Sequence, residues 1–123
     1  MFQDTVFNQG MGMPRVWIAY EPMIYADVFA RVLEELGPVD IVEDPRLGVD
    51  VIVLPLSEAG EPQLDLLPDP APNAKLVAFS AKGNRGLVCL PGHSEWEEIR
   101  PFGLGRMFLE VLAGRERPQP RQD

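Results

Sequence analysis

The chain has one histidine and one cysteine in 123 residues. A lone Cys89 excludes an intramolecular disulfide. One Cys with one His cannot close a tetrahedral metal site within a single chain. No apolar run approaches the ~20 residues needed to span a bilayer, so no membrane partner is expected. Residues 1–13 lack the cationic start and continuous apolar stretch of a secretory signal. With the single cysteine, this leads to the expectation of a cytoplasmic protein. Positive charge is also scarce: 11 Lys and Arg stand against 19 Asp and Glu, a net charge of −8. Phosphate backbones need clustered cations, and here they are scattered except for Arg115, Arg117 and Arg121, so nucleic acid is not an expected partner. There is no P-loop. Gly103 and Gly105 lack the third glycine and the preceding strand of a dinucleotide fingerprint, and no cofactor is expected.

What is present reads as one α/β domain over residues 15–114. An arm, residues 1–14, precedes it and carries Phe2, Val6 and Phe7. A Pro-rich, charged tail, residues 115–123, follows and is expected to be disordered. RVWIAY (15–20) is an apolar run with the character of a buried strand, and its Trp17 is expected in the core. From Met23 the period becomes helical: Tyr25, Phe29, Val32, Leu33 and Leu36 share one face. Gly37-Pro38 stops the helix, Gly37 as a left-handed cap. VDIVE (39–43) and VDVIVLPL (49–56) are strands. Strand, helix, strand in this order implies a parallel pair. The link 44–48 is either a crossover or a turn.

Residues 57–73 are punctuated by Gly60, Pro62, Pro68, Pro70 and Pro72, with a short helical turn expected at 63–67. Residues 76–81 and 86–91 read as strands joined through Gly83-Asn84. A two-residue loop of that kind favours a hairpin with a type II′ turn, pairing Phe79 with Val88 and Ala78 with Cys89. The last strand is therefore antiparallel and forms an exposed edge. Ser94 and Glu97 have capping-box spacing, which predicts a helix from Ser94. Trp96, in that helix, is a clamp on the sheet or an interface anchor. A further helix over residues 103–113 presents Leu104, Phe108, Val111 and Leu112 on one face, with Gly114 as its stop.

Residues 51–55 (VIVLP) resemble the strand leading to the central glycine-rich loop of the class I glutamine amidotransferase-like superfamily, especially its trehalose-utilisation (ThuA-like) branch. Residues 85–95 (RGLVCLPGHSE) are similar to the antiparallel strand that delivers a His in that superfamily, followed two residues on by a Glu; here these are His93 and Glu95. Residues 103–113 are similar to its closing helix. The resemblance implies a three-layer, flavodoxin-like fold with a mainly parallel sheet of about five strands and an antiparallel edge hairpin. Catalytic members carry a nucleophilic Cys on a glycine-flanked elbow. No such element lies between Pro55 and Lys75, and Cys89 sits inside a strand. The resemblance thus implies a reduced, non-catalytic relative. The chain also resembles a response-regulator receiver, with Glu21 as one of the paired acids, Ser80 as the hydroxyl and Lys82 near the lysine. Pro55 stands at the phosphoacceptor position, which implies a phosphorylation-independent receiver.

His93, Ser94 and Glu95 have the residue types of a hydrolytic triad, but triads are made by geometry, and adjacent residues rarely face one another. His93 is the only candidate and no catalytic residue is assigned. Cys89, among Leu87, Val88 and Leu90, reads as a small core residue. Glu21, Glu43 and Asp44 are carboxylates at strand ends, and residues 82–85 (KGNR) offer charge and turn N–H groups to an anion. A ligand site is expected where parallel strands end, from Glu21, Ser57 and Ser80. His93 joins only if its strand is not antiparallel or the chain turns back. The leading expectation is a non-catalytic association module that pairs with itself, as a homodimer, or with another protein. The alternative is a small-molecule binder or degenerate hydrolase-like domain.

Overall fold

The computed structural model describes residues 13–20, 23–80, 82, 84–100 and 103–116. The expectations for the arm (1–12), Glu21 and the far tail lie outside these residues. Six strands form one mixed sheet: β1 Arg15–Ile18, β2 Asp40–Ile41, β3 Val51–Pro55, β4 Lys75–Phe79, β5 Gly86–Cys89 and β6 Glu97–Glu98, in the order β2-β1-β3-β4-β5-β6. The first four are parallel and the last two pairings are antiparallel. Two helices, α1 Met23–Leu36 and α2 Leu104–Leu112, complete the regular structure.

β3 is central and buried along its whole length. That is the environment that selects an uninterrupted apolar run in a parallel strand. Its side chains alternate between faces. Val51 and Val53 join Val16, Val77, Phe79 and Val88 beneath the helices, whereas Ile52 and Leu54 join Val49, Ala74 and Ala78 on the other side. Leu33 of α1 and Met107, Phe108 and Val111 of α2 pack on the first face. Both helices therefore cover one side. The second side is covered by Leu56, Leu66 and Leu67 of the connecting segment and by Trp96. That segment contains the short helical turn expected there, a 3-10 turn at Leu64–Leu66. The helices thus form a single layer among the described residues, not the two of a three-layer fold.

The link after β2 is a crossover. β2 and β3 lie on opposite sides of β1 and both run parallel to it. A 3-10 turn at Pro45–Leu47, started by Asp44 Oδ1 accepting from Arg46 N at 3.0 Å, makes the passage.

Four expectations are corrected. The β4–β5 hairpin is antiparallel, but Phe79 pairs with Gly86 and Ala78 with Leu87, two residues away from the register of a tight Gly-Asn turn. The reason is Ser80: its N donates to Arg85 O at 3.0 Å and its Oγ accepts from Asn84 N at 3.2 Å, closing a wider loop. No helix starts at Ser94. Instead a turn, with His93 N donating to Leu90 O at 3.0 Å and Gly92 at φ +80°, returns the chain as β6. Pairing with β5 satisfies backbone groups that a helix would leave open, so β5 is not an edge. Gly37 is not left-handed; α1 stops where Pro38 offers no N–H, while Gly114, at φ +70°, caps α2. The buried stripe of α1 is also narrower than its period suggests. It centres on Leu33, and Tyr25 and Leu36 are exposed.

Candidate functional site

The C-terminal ends of β3 and β4 carry Ser57 and Ser80. Ser57 Oγ accepts from Ala59 N at 3.2 Å and Glu61 N at 3.3 Å, while Ser57 N donates to Glu61 O at 2.8 Å. The hydroxyl serves its own turn. Ser80 Oγ donates to Asn84 Oδ1 at 2.7 Å. The two turns are then joined. Arg85 Nη1 donates to Gly60 O at 2.8 Å, and Arg85 Nε lies 3.6 Å from Glu98. Gly60 sits at φ +83°, and a Cβ there would fall 2.5 Å from Arg85 Nη1, so glycine permits the close approach. The guanidinium offered to an anion by residues 82–85 is thus engaged as a clasp over the strand ends. Beneath it, Tyr20 Oη donates to Phe79 O at 3.0 Å, and burial, with a contribution from Tyr25, pushes its pKa up to about 12.

His93 lies at the opposite end of the sheet. Because β5 is antiparallel, Cys89 pairs with Leu76 near the start of β4, and the chain reaches His93 beyond it. The turn at Pro91-Gly92 does not bring it back to Ser57 and Ser80. His93 is exposed, beside a cleft of about 70 Å³ shared with Val88, Leu90, Glu95 and Glu97. Ser57, Ser80 and His93 are therefore not one constellation. Cys89 is buried, its Sγ donates to His93 O at 3.2 Å, and burial pushes its thiol pKa up. That is the opposite of what a reactive thiolate requires. Asp44 holds Arg46 by side-chain bonds at 3.1 and 3.3 Å, and those bonds lower its pKa. No group of three or more His, Cys, Asp or Glu able to hold a metal occurs among the described residues.

Two features carry no local sequence signal. The first is a buried ion pair. Lys75, the first residue of β4, has its Nζ 3.0 Å from Glu110 Oε1 and 2.6 Å from the Glu110 carbonyl oxygen, and also donates to Glu116 O. Arg115 Nη1 donates to Asn73 O at 2.6 Å. Residues 115 and 116, assigned to the tail by sequence, are thus bonded to the start of β4. The second feature is the outer surface of the helix layer. Ile24, Tyr25, Val28 and Leu36 of α1 and Leu104 and Leu109 of α2 are exposed. Two contacts orient it. The rings of Phe29 and Phe108 are 6.5 Å apart, and Leu112 lies 3.5 Å from the Cβ position of Gly37. These contacts set α1 and α2 side by side, and Leu109, opposite the buried side of α2, points away from the sheet.

Comparisons with family models, curated proteins and solved structures return no match to this chain. No helix among the described residues is long and apolar enough to cross a membrane.

Proposed function

We propose that this chain is a non-catalytic protein-association module that forms a homodimer in the cytoplasm through the outer face of its helix layer. One observation carries the reading: the large apolar side chains Ile24, Tyr25, Val28 and Leu36 of α1 and Leu104 and Leu109 of α2 are exposed on the helix layer. Large apolar side chains grouped on one exposed layer of a small domain favour an interaction site. The sheet rims do not offer an alternative. β2 and β6 are two residues long and carry Asp40, Glu97 and Glu98, features that protect edges from pairing.

The strand order β2-β1-β3-β4 is the one used by doubly wound, flavodoxin-like sheets. It supports kinship with a reduced, non-catalytic amidotransferase-like domain. The competing ligand-site reading draws no support from Ser57 and Ser80, whose hydroxyls are committed to their own turns.

Light scattering over a concentration series tests the reading. The expected mass is twice the 13.7 kDa of one chain, falling to a single chain in Leu36→Asp/Leu109→Asp. A monomer at every concentration sinks it.

A further inference from the structure

The C-terminal end of α2 is fastened from outside the helix. α2 has nine residues, fewer than the ~12–15 at which an isolated helix begins to hold in water. Its N-cap, Gly103, makes no side-chain bond, no acid stands in its first turn and no base in its last. Gly105 inside it lowers helix propensity further. The cation that a helix C-terminus favours comes instead from β4. Lys75 shares a face of that strand with Val77 and Phe79, beneath the helices. Gly114 N, the amide four residues after Glu110, donates to Val111 O. Lys75 Nζ takes its place at the Glu110 carbonyl, 2.6 Å away. Its ammonium has three N–H groups to give, and Glu110 Oε1, at 3.0 Å, and Glu116 O also accept from it.

We infer that residues 113–116 are a strap that holds α2 on the sheet and, when it opens, releases α2 ahead of the rest of the fold. The strap crosses the starts of three strands. Gly114 is buried, its Cβ position 3.5 Å from Pro14 Cβ, just before β1. One residue on, Arg115 Nη1 donates to Asn73 O at 2.6 Å, and Glu116 O then meets Lys75 at the start of β4. β3 lies between β1 and β4, which places the outer two roughly 10 Å apart. The hold is polar. Arg115 and Glu116 are exposed, while Lys75 beneath them is shut off from water. Segments held by solvent-facing hydrogen bonds with little apolar burial are the first to open.

The consequence for association rests on the reading of the chain as a self-associating module, and it gives that module a control. Leu104 and Leu109 of α2 are two of the large apolar side chains exposed on the helix layer. Met107, Phe108 and Val111 of the same helix share one core with Val16, Val77 and Val88. With the strap closed, α2 is fixed beside α1 and the surface is whole. With it open, Leu104 and Leu109 leave the layer and association weakens.

The test uses the full chain. Amide hydrogen exchange is compared between the parent, Arg115→Ala, and Lys75→Met/Glu110→Leu, which removes the buried cation without stranding its carboxylate. Arg115→Ala is expected to quicken exchange at residues 108–112 by about threefold to tenfold. The double variant should go further at the same amides, with Leu33 of α1 and Val53 of β3 lagging behind in both. Light scattering over a concentration series should show weaker self-association in both variants. Unchanged exchange at residues 108–112 overturns the strap. Equal quickening at Leu33 and Val53 also overturns it, because α2 then has no opening of its own. Quickened exchange in α2 with self-association intact overturns its control of association. A parent chain that stays a monomer at every concentration overturns the association reading and that control with it, while the exchange result still decides the strap.

Discussion

Lys75 Nζ and Glu110 Oε1 stand 3.0 Å apart with both side chains shut off from water, joining the first residue of β4 to the last turn of α2 across 35 positions of sequence. A buried ion pair gains little over a well-packed apolar pair, but a buried charge left without its partner is costly. The two residues act as a unit that pins the end of α2 over the sheet.

Lys75→Met strands the Glu110 carboxylate and is expected to cost about 3–5 kcal/mol of stability. Lys75→Met/Glu110→Leu should lose markedly less. Urea denaturation of the two variants and the parent checks this. Equal losses would show that the pair is not coupled.

Stability should fall in alkali through Tyr20. Its pKa is about 12 in the folded chain against 10.0 for an ordinary tyrosine, chiefly because it is buried. Between these values the unfolded chain has released the proton and the folded chain still holds it. Unfolding stability therefore declines as pH rises from about 10 to 12, by roughly 2–3 kcal/mol in all. Below pH 10 both forms are neutral and the group contributes no slope. In Tyr20→Phe this part of the decline should vanish, as measured by denaturation at pH 9 to 12.

Two glycines should respond with opposite sign to alanine. Gly92 sits at φ +80° in open space, so Gly92→Ala meets backbone strain alone and should cost about 1–2 kcal/mol. Gly105 lies in α2 with nothing near its Cβ position, and Gly105→Ala should stabilise by about 0.5 kcal/mol. Thermal midpoints of the two variants decide both.

Arg85→Ala removes the bond to Gly60 that joins the two strand-end turns. Because the clasp is local, global stability should change by no more than about 1 kcal/mol. Amide hydrogen exchange should quicken at Gly60 and Asn84 and stay unchanged at Val53 and Val77. Unaltered exchange at the turns would remove the clasp from the account.

Sequence made the parallel strands legible because a strand buried on both faces must be apolar throughout, as residues 51–55 are. The stop of α1 at Gly37-Pro38 was legible for its chemistry, though not for the conformation of Gly37. What failed were inferences from local signals that long-range pairing overrides. Ser94 and Glu97 have the spacing of a helix cap, yet the open side of β5 takes residues 97 and 98 as a strand. The Gly-Asn pair suggested a tight turn, yet Ser80 and Asn84 close a wider one. Among the site candidates, the antiparallel β5 carries His93 to the end of the sheet opposite Ser57 and Ser80. Lys75 and Glu110 were silent because their only signal is tertiary. The outward position of Tyr25 and Leu36 was hidden because a helical period gives the centre of an apolar stripe but not the width that its neighbours cover.

Pro14 and Gly114 lie side by side, with 3.5 Å between Pro14 Cβ and the Cβ position of Gly114. The domain opens and closes at a single gap, so it is topologically a loop that begins and ends at one point. Its two ends can be sealed by a linker of a few residues and the chain reopened at the exposed loop after β4, giving a circular permutant with the same sheet order. For the same reason, the whole unit can be set into a surface turn of another protein without prising that turn apart.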